Sequence, residues 1–455
     1  MKRTSNNPLK YRGVIEGFYG PRWTHADRLA LLESMPKWNM NLYIYSARND
    51  PYHRFGWATL YPREELRRFE ELAVRAARRK VMFSIAISPG NTFDPAIQEH
   101  RRRLLRKLQQ FCDLGCRLFP IFYDDLTAPV DYNGSGGVAH AKKQASVINY
   151  FLEELTARVP RARVLFCPTE YGTAEKSAYL SRLHELLDRR VDVMCTSVDE
   201  PDPQALPRKH CPRTWPKTFS NDGARQYFQN FGRKPFLWDN FNCADFALNR
   251  LNWSPYQGRG DRLNELCSGI VLNPQHVALM NWPVFGTVGE YFANPRQYNP
   301  RKAMDRSLDH CMGKAGGTIG RILAKWYTTE WSGYMSSDEN LPNLKRGLSG
   351  TTVQRRQFLR QVKKAVAPLL LFKQQFDRTI MPPDWTCHLS GYVNLLTRWA
   401  CAINALCDDA LMHMPIEPDQ AQAARRALGE LWRCSYRMPE SLLDYLEKMV
   451  EELSE

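Results

Sequence analysis

Leu118-Phe-Pro-Ile-Phe-Tyr-Asp-Asp125 is an apolar, aromatic run closed by two adjacent carboxylates. A run that is apolar at nearly every position suits a strand covered on both faces, which is the habit of parallel sheets. Seven more such runs surround it, at Gly13 to Phe18, Asn41 to Ser46, Val81 to Ile87, Arg163 to Cys167, Val191 to Thr196, Pro235 to Trp238 and Gly269 to Leu272. Helical patterns separate them. In one of these, Leu104, Leu105, Leu108 and Phe111 recur at the spacing of a single helix face. Eight strand-plus-helix units predict a (β/α)8 barrel, placed at residues 11–300. An open doubly wound sheet is the rival, and it calls for a glycine-rich phosphate turn after its first strand. Gly17-Phe-Tyr-Gly20 is not that fingerprint.

Beyond Pro300 the periodicity is helical only, in Thr352 to Phe376, Tyr392 to Met412, Gln420 to Leu431 and an acidic segment from about Glu440. Residues 301–455 are therefore expected to form an all-α bundle domain, with turn residues at Gly347 to Gly350 and Met381 to Asp384. Bundles of this kind often dimerise, so a homodimer is kept open, although no apolar stripe here demonstrates one.

The chain has 455 residues, and 63 Lys+Arg against 48 Asp+Glu leave a net charge of +15. A polyanion surface is one reading of that excess. The denser basic runs, Arg75 to Lys80 and Arg101 to Lys107, fall on helical patterns, which favours solvated helix faces. No nucleic-acid-binding motif accompanies them, so nucleic acid is not an expected partner. No apolar stretch approaches the ~20 residues of a membrane helix, and the basic, polar segment Met1 to Lys10 lacks the apolar core of a signal peptide. A cytoplasmic, membrane-free protein is expected. Twelve scattered cysteines without a C-x-x-C pair fit free thiols in a reducing compartment.

Chemistry in a barrel gathers where strands end. Those ends carry Glu16 to Gly20, Ser46 to Asp50, Ser88 to Gly90, Asp124-Asp125, Pro168 to Tyr171, Thr196-Ser197, Trp238 to Asn240 and Asn273-Pro274. Asp124 and Asp125 repel one another, so one of them is expected to hold its proton more tightly, as a general acid near neutral pH does. A helix N-cap beside a solvated acid is the plainer alternative. A metal site is not supported, because spacing places no histidine or third carboxylate beside the pair. Tyr19, Tyr171 and Trp238 offer apolar walls for a sugar ring, and Asn240, Asp245 and Asn273 offer partners for its hydroxyls. His25, His53 and His140 are read as structural.

With those residues in place, the segments Gly13-Val-Ile-Glu-Gly-Phe-Tyr-Gly20, Asp50-Pro-Tyr-His-Arg54, Ile121-Phe-Tyr-Asp-Asp125, Phe166-Cys-Pro-Thr-Glu-Tyr171, Trp238-Asp-Asn240 and Leu272-Asn-Pro274 resemble glycoside hydrolase family 84. That family comprises protein O-GlcNAcases and related β-N-acetylglucosaminidases, and the likeness runs in order over residues 11–300. It implies retaining hydrolysis of a terminal β-linked GlcNAc on a glycoconjugate or glycoprotein, without a cofactor. The substrate's own acetamide attacks the anomeric carbon to give an oxazoline. On this resemblance Asp124 orients the acetamide, and Asp125 protonates the leaving oxygen and later deprotonates water. Gly17, Tyr171, Asn240, Asp245 and Asn273 match sugar-contacting positions, Arg48 stands at another of them, and Tyr19 and Trp238 line the pocket.

Two departures stand out. Arg48-Asn49-Asp50 replaces the family's Lys-Asp-Asp, and Cys195-Thr196-Ser197 replaces Trp-Thr-Gly. A guanidinium fork is not equivalent to a compact ammonium. A GlcNAc-binding protein with altered or lost turnover, or a glycosidase for another N-acetylhexosaminide, therefore stays in view. The proline-rich stretch from Asp199 to Lys234, with His210, Cys211 and Trp215, is a candidate rim.

Overall fold

In the computed structural model, residues 9–126, 130–199, 218–243, 245, 251–327, 340–412, 415–433 and 440–454 are described. Eight strands occur among them: β1 (Tyr11–Glu16), β2 (Leu42–Tyr45), β3 (Met82–Ile85), β4 (Leu118–Phe122), β5 (Arg163–Cys167), β6 (Asp192–Cys195), β7 (Phe236–Asp239) and β8 (Gly269–Leu272). All pairings are parallel, in the order β3-β2-β1-β8-β7-β6-β5-β4. The two ends of that order meet at one bridge, Ile87 to Ile121. The sheet is thus a nearly closed (β/α)8 barrel, as the eight apolar runs predict.

Pro120 explains why the seam between β3 and β4 is so short. Its carbonyl accepts from Ile87 N–H at 3.0 Å, so the same edge of Pro120 faces β3. A proline has no N–H to offer the next rung.

Side chains along each strand alternate between the barrel interior and the surrounding helices. Ile15, Leu42, Ile44, Ala86, Leu118, Phe122, Leu165, Cys167, Met194, Phe236, Trp238 and Val271 form the interior cluster. The opposite register packs on helices such as α1 (His25–Ser34), α2 (Arg63–Arg78) and α3 (Gln98–Asp113), and α4 (Ser135–Arg158), α5 (Ala178–Leu186), α6 (Asn221–Phe231), α7 (Leu263–Leu266) and α8 (Trp282–Ala293) follow along the chain. In α3, Leu104, Leu108 and Phe111 are fully buried and Arg102, Arg103 and Arg106 are exposed. Lys107 corrects the reading of that basic run. It is fully buried, and its ammonium donates to the carbonyls of Tyr52, Gly56 (3.0 Å) and Trp57 (3.2 Å).

After the barrel the chain is helical: α9 (Pro300–Trp326), α10 (Leu344–Leu348), α11 (Thr352–Leu370), α12 (Phe372–Asp377), α13 (Pro383–Met412), α14 (Pro418–Arg433) and α15 (Glu440–Ser454). Thr351 and Gln354 form a capping box that starts α11. The helix expected from Thr352 to Phe376 is two helices broken at Leu371, and α13 begins nine residues before the expected Tyr392. Leu359, Val362 and Val366 of α11 and Leu396, Trp399 and Ile403 of α13 are completely buried where these helices pack.

The chain divides into two compact units. One comprises Met1–Phe246, Tyr256–Asn281 and Phe285–Asn299; the other comprises Ala247–Pro255, Trp282–Val284 and Pro300–Glu455. Among the described residues no helix is long and apolar enough to cross a membrane. Ten cysteines there are free thiols, six of them buried. The expected leader-free terminus at Met1 to Lys10 falls mostly outside the described residues, and so do His210, Cys211 and Trp215 of the candidate rim.

Candidate active site

At the C-terminal ends of the strands the inward register runs on past the interior cluster. Ile15 leads to Gly17, Ile44 to Ser46 and Arg48, Phe122 to Asp124, Met194 to Thr196, Trp238 to Asn240, and Val271 to Asn273. Gly17, Arg48, Asp124, Thr196, Trp238, Asn240 and Asn273 line a cavity of about 270 Å³ together with Tyr19, Asp125, Cys167, Tyr171 and Asp245. All ten positions singled out in the sequence are therefore gathered around one cavity. Cys167 and Thr196 join them, and strand parity points to both. His25, His53 and His140 do not line it.

Asp125 is the exception to parity. As the neighbour of Asp124 it belongs to the outward register, yet its φ of +51° places it in the left-handed region and brings it to the cavity. A residue other than glycine pays strain for that conformation, although Asp tolerates it better than most. The two carboxylates consequently face different partners.

Asp124 is held by cations. The Arg48 guanidinium pairs with its Oδ2, and Arg54 Nη2 lies 3.5 Å from its Oδ1. Arg48 and Asp124 side chains are only 4% and 5% exposed, so each charge depends on the other. Arg48 Nε also donates to the Gly17 carbonyl at 3.1 Å. Its guanidinium carbon sits 5.4 Å from the Trp238 ring centroid and 5.5 Å from that of Tyr19.

Asp125 is held by phenols. Tyr19 donates to its Oδ2 and Tyr171 to its Oδ1, each at 2.7 Å. Burial raises the Asp125 pKa, but Arg48, the two phenols and Arg54 outweigh it, and the net position is below the ordinary range. At Asp125 the surroundings thus act against the raised proton affinity expected of one member of the pair. Two arginines and two hydroxyls overcome the repulsion that motivated it.

A second group frames the opposite wall. Asn240 Oδ1 accepts from Trp238 Nε1 at 3.1 Å and from Asn273 Nδ2 at 3.0 Å. Gly17 lets that wall close in, since a Cβ there would lie 2.4 Å from Trp238 Cζ2. Asp245 Oδ1 accepts the Tyr19 N–H at 2.8 Å, and burial pushes its pKa up to about 6. Three buried polar atoms of the lining, Arg48 Nη1, Asp124 Oδ1 and Asn273 Oδ1, have no hydrogen-bond partner within the protein. A donor and two acceptors are thus left for a polar ligand.

Other strand-end acids serve the fold. Glu16 accepts from Arg28 at 2.7 and 2.8 Å and from the Tyr43 hydroxyl at 2.6 Å. Asp239 is paired with Arg259 and accepts from Tyr256 at 2.7 Å. Asp50 accepts from Tyr45 and Tyr61. Among the described residues no group of three or more His, Cys, Asp or Glu could hold a metal ion.

Comparison with known proteins gives the same direction as the site. The family model described as NAGidase, beta-N-acetylglucosaminidase, matches residues 12–321. The protein O-GlcNAcases of Rattus norvegicus and Mus musculus are each 30% identical over 289 residues, which is 62% of this chain. The chain spans 30% of the length of these curated relatives. Its fold superposes on a mutant of the Thermobaculum terrenum O-GlcNAc hydrolase with a TM-score of 0.82 at 22% identity, covering 98% of this chain and 94% of that one. The chain belongs to glycoside hydrolase family 84, the β-N-acetylglucosaminidase family.

Proposed function

We propose that this chain hydrolyses terminal β-linked GlcNAc with retention, the substrate's acetamide acting as nucleophile to form an oxazoline. The observation that carries this reading is the divergence of two adjacent acids. Asp124 follows the inward register into the arginines, while the left-handed turn at Asp125 delivers the second carboxylate to the phenols. One acid addresses the acetamide and the other the scissile bond, so no enzyme nucleophile is required.

In this mechanism Asp124, paired with Arg48 and Arg54, accepts the acetamide N–H through Oδ1, which accepts no hydrogen bond within the protein, and stabilises the positive charge developing on the oxazolinium. Asp125 gives a proton to the leaving oxygen. The C1–O bond breaks as the acetamide oxygen bonds to C1, and the same carboxylate then takes a proton from the water that opens the ring. A bound sugar displaces the phenols and dries the site, and both changes raise the Asp125 pKa toward the value an acid needs. Trp238 and Tyr171 supply walls, and Asn240, Asp245 and Asn273 supply hydroxyl contacts.

The rat and mouse relatives are named protein O-GlcNAcases, and a GlcNAc-bearing protein is the substrate proposed here. A reducing, cytoplasmic setting suits the buried single thiols. The lowered Asp125 pKa and the Arg48 substitution favour a second reading, a GlcNAc-binding protein with little turnover. Release of 4-nitrophenol from its β-GlcNAc glycoside separates the two. Turnover supports the hydrolase, whereas GlcNAc binding without turnover of any β-N-acetylhexosaminide supports the binding protein.

A further inference from the structure

The seam between β3 and β4 lies directly beneath the acid pair. Above its bridge at Ile87 and Ile121 the two strands make no further pairing among the described residues. Ser88 and Asp124 continue the two facing strands upward, and one side chain links them. Arg54 Nε donates to Ser88 Oγ at 3.2 Å, and its Nη2 donates to the Asp124 carbonyl at 3.2 Å. That carbonyl belongs to the peptide joining Asp124 to Asp125, the unit about which Asp125 adopts its φ of +51°. Arg54 is absent from the cavity lining.

We propose that Arg54 is a positioning residue for the acid pair, bracing the open part of the seam and fixing the peptide that turns Asp125 into the cavity. The inference rests on the hydrolase reading given above. The loop that carries Arg54 is built to hold it still. Gly56 N–H bonds to the Pro51 carbonyl at 2.9 Å, Ser88 N–H to the His53 carbonyl at 3.1 Å, and Trp57 Nε1 to Thr92 Oγ1 at 2.8 Å. Beneath it the buried Lys107 ammonium spends its three N–H groups on the carbonyls of Tyr52, Gly56 and Trp57. A strained conformation persists only where its surroundings over-determine it, and this loop supplies that constraint. Lysine at position 54 keeps a charge but has no planar fork able to bond Ser88 and Asp124 together.

Steady-state hydrolysis of 4-nitrophenyl β-GlcNAc by the wild type, Arg54→Lys, Arg54→Met and Ser88→Ala, over a range of pH, tests the proposal. Arg54→Lys is expected to lower kcat on the order of 10²-fold, the scale of a misplaced reacting group, with KM within about threefold because Arg54 is outside the sugar cavity. Ser88→Ala gives a smaller loss of the same kind. In Arg54→Met the alkaline limb of kcat/KM moves to higher pH, since one of the charges that lower the Asp125 pKa is removed, whereas Arg54→Lys keeps that charge and the limb. A purely structural role leaves the limb in place in Arg54→Met as well. Unchanged kcat in Arg54→Lys overturns the proposal, as does a rise in KM at constant kcat. If Arg54→Met does not fold, Arg54→Lys and Ser88→Ala decide. A wild type that turns over no β-N-acetylhexosaminide removes the hydrolase reading, and the positioning role falls with it.

Discussion

The Tyr171 hydroxyl donates a hydrogen bond to Asp125 Oδ1 at 2.7 Å, and so stabilises the ionised form of the residue proposed to protonate the leaving group. Tyr171→Phe removes that donor without changing the wall. The Asp125 pKa then rises, so the protonated acid survives to higher pH. The alkaline limb of kcat/KM is expected to shift to higher pH, so that activity falls off later on that side than in the wild type. A pH profile identical to the wild type's contradicts the role given to this hydrogen bond.

Arg48 and Asp124 form a pair shielded from water on both sides. Arg48→Met leaves Asp124 with Arg54 alone, 3.5 Å from Oδ1, and a buried pair broken on one side typically costs about 3–5 kcal/mol. Urea unfolding measures the loss. Combining Arg48→Met with Asp124→Asn is expected to recover part of it, because no uncompensated charge remains. Additive losses in that cycle contradict the coupling.

Gly17 marks where the backbone touches the Trp238 ring. Gly17→Ala places a methyl 2.4 Å from Cζ2 of a ring also tied to Asn240, so the indole must move. The expected cost is about 1–3 kcal/mol in stability together with weaker GlcNAc binding by calorimetry. Unchanged affinity shows that Trp238 does not shape the sugar subsite.

Lys107 links stability to pH. Burial pulls its pKa from 10.5 down to about 7, opposed by Asp50, while the rings of Tyr61 and Tyr52 lie over the ammonium. Between those values the unfolded chain binds the extra proton, so this contribution to stability grows as pH rises through the window and is lost as pH falls through about 7. Lys107→Met is expected to flatten the corresponding part of the stability profile in chemical denaturation. An unaltered slope means that the three carbonyls hold the ammonium charged throughout.

Strand parity explains which parts of the site were legible. The eight apolar runs locate the barrel, and continuing their inward register by two residues reaches Gly17, Asp124, Asn240 and Asn273, and by four reaches Arg48. The same parity sends Glu16 and Asp239 outward, where Arg28 and Arg259 pair with them. A list of polar strand ends that ignores parity mixes these structural acids with the cavity residues. Asp125 breaks the rule through a backbone dihedral that no local pattern specifies. Arg54 and Lys107 act through contacts between residues 34 to 70 positions apart. Lys107 also sits in a basic run whose other members are solvated, so composition alone misplaces it.

The division of labour between the two acids is the central claim, and leaving-group dependence tests it most directly. kcat/KM is to be measured for the wild type, Asp124→Asn and Asp125→Asn on β-GlcNAc glycosides with a 2,4-dinitrophenyl leaving group and with a simple alkyl one. A general acid contributes about 10²–10⁴-fold where the leaving oxygen needs a proton. Asp125→Asn is therefore predicted to lose that much on the alkyl glycoside and far less on the dinitrophenyl glycoside. Asp124→Asn, which weakens acetamide attack on either substrate, is predicted to lose activity on both alike. Two variants with the same leaving-group dependence would contradict the account.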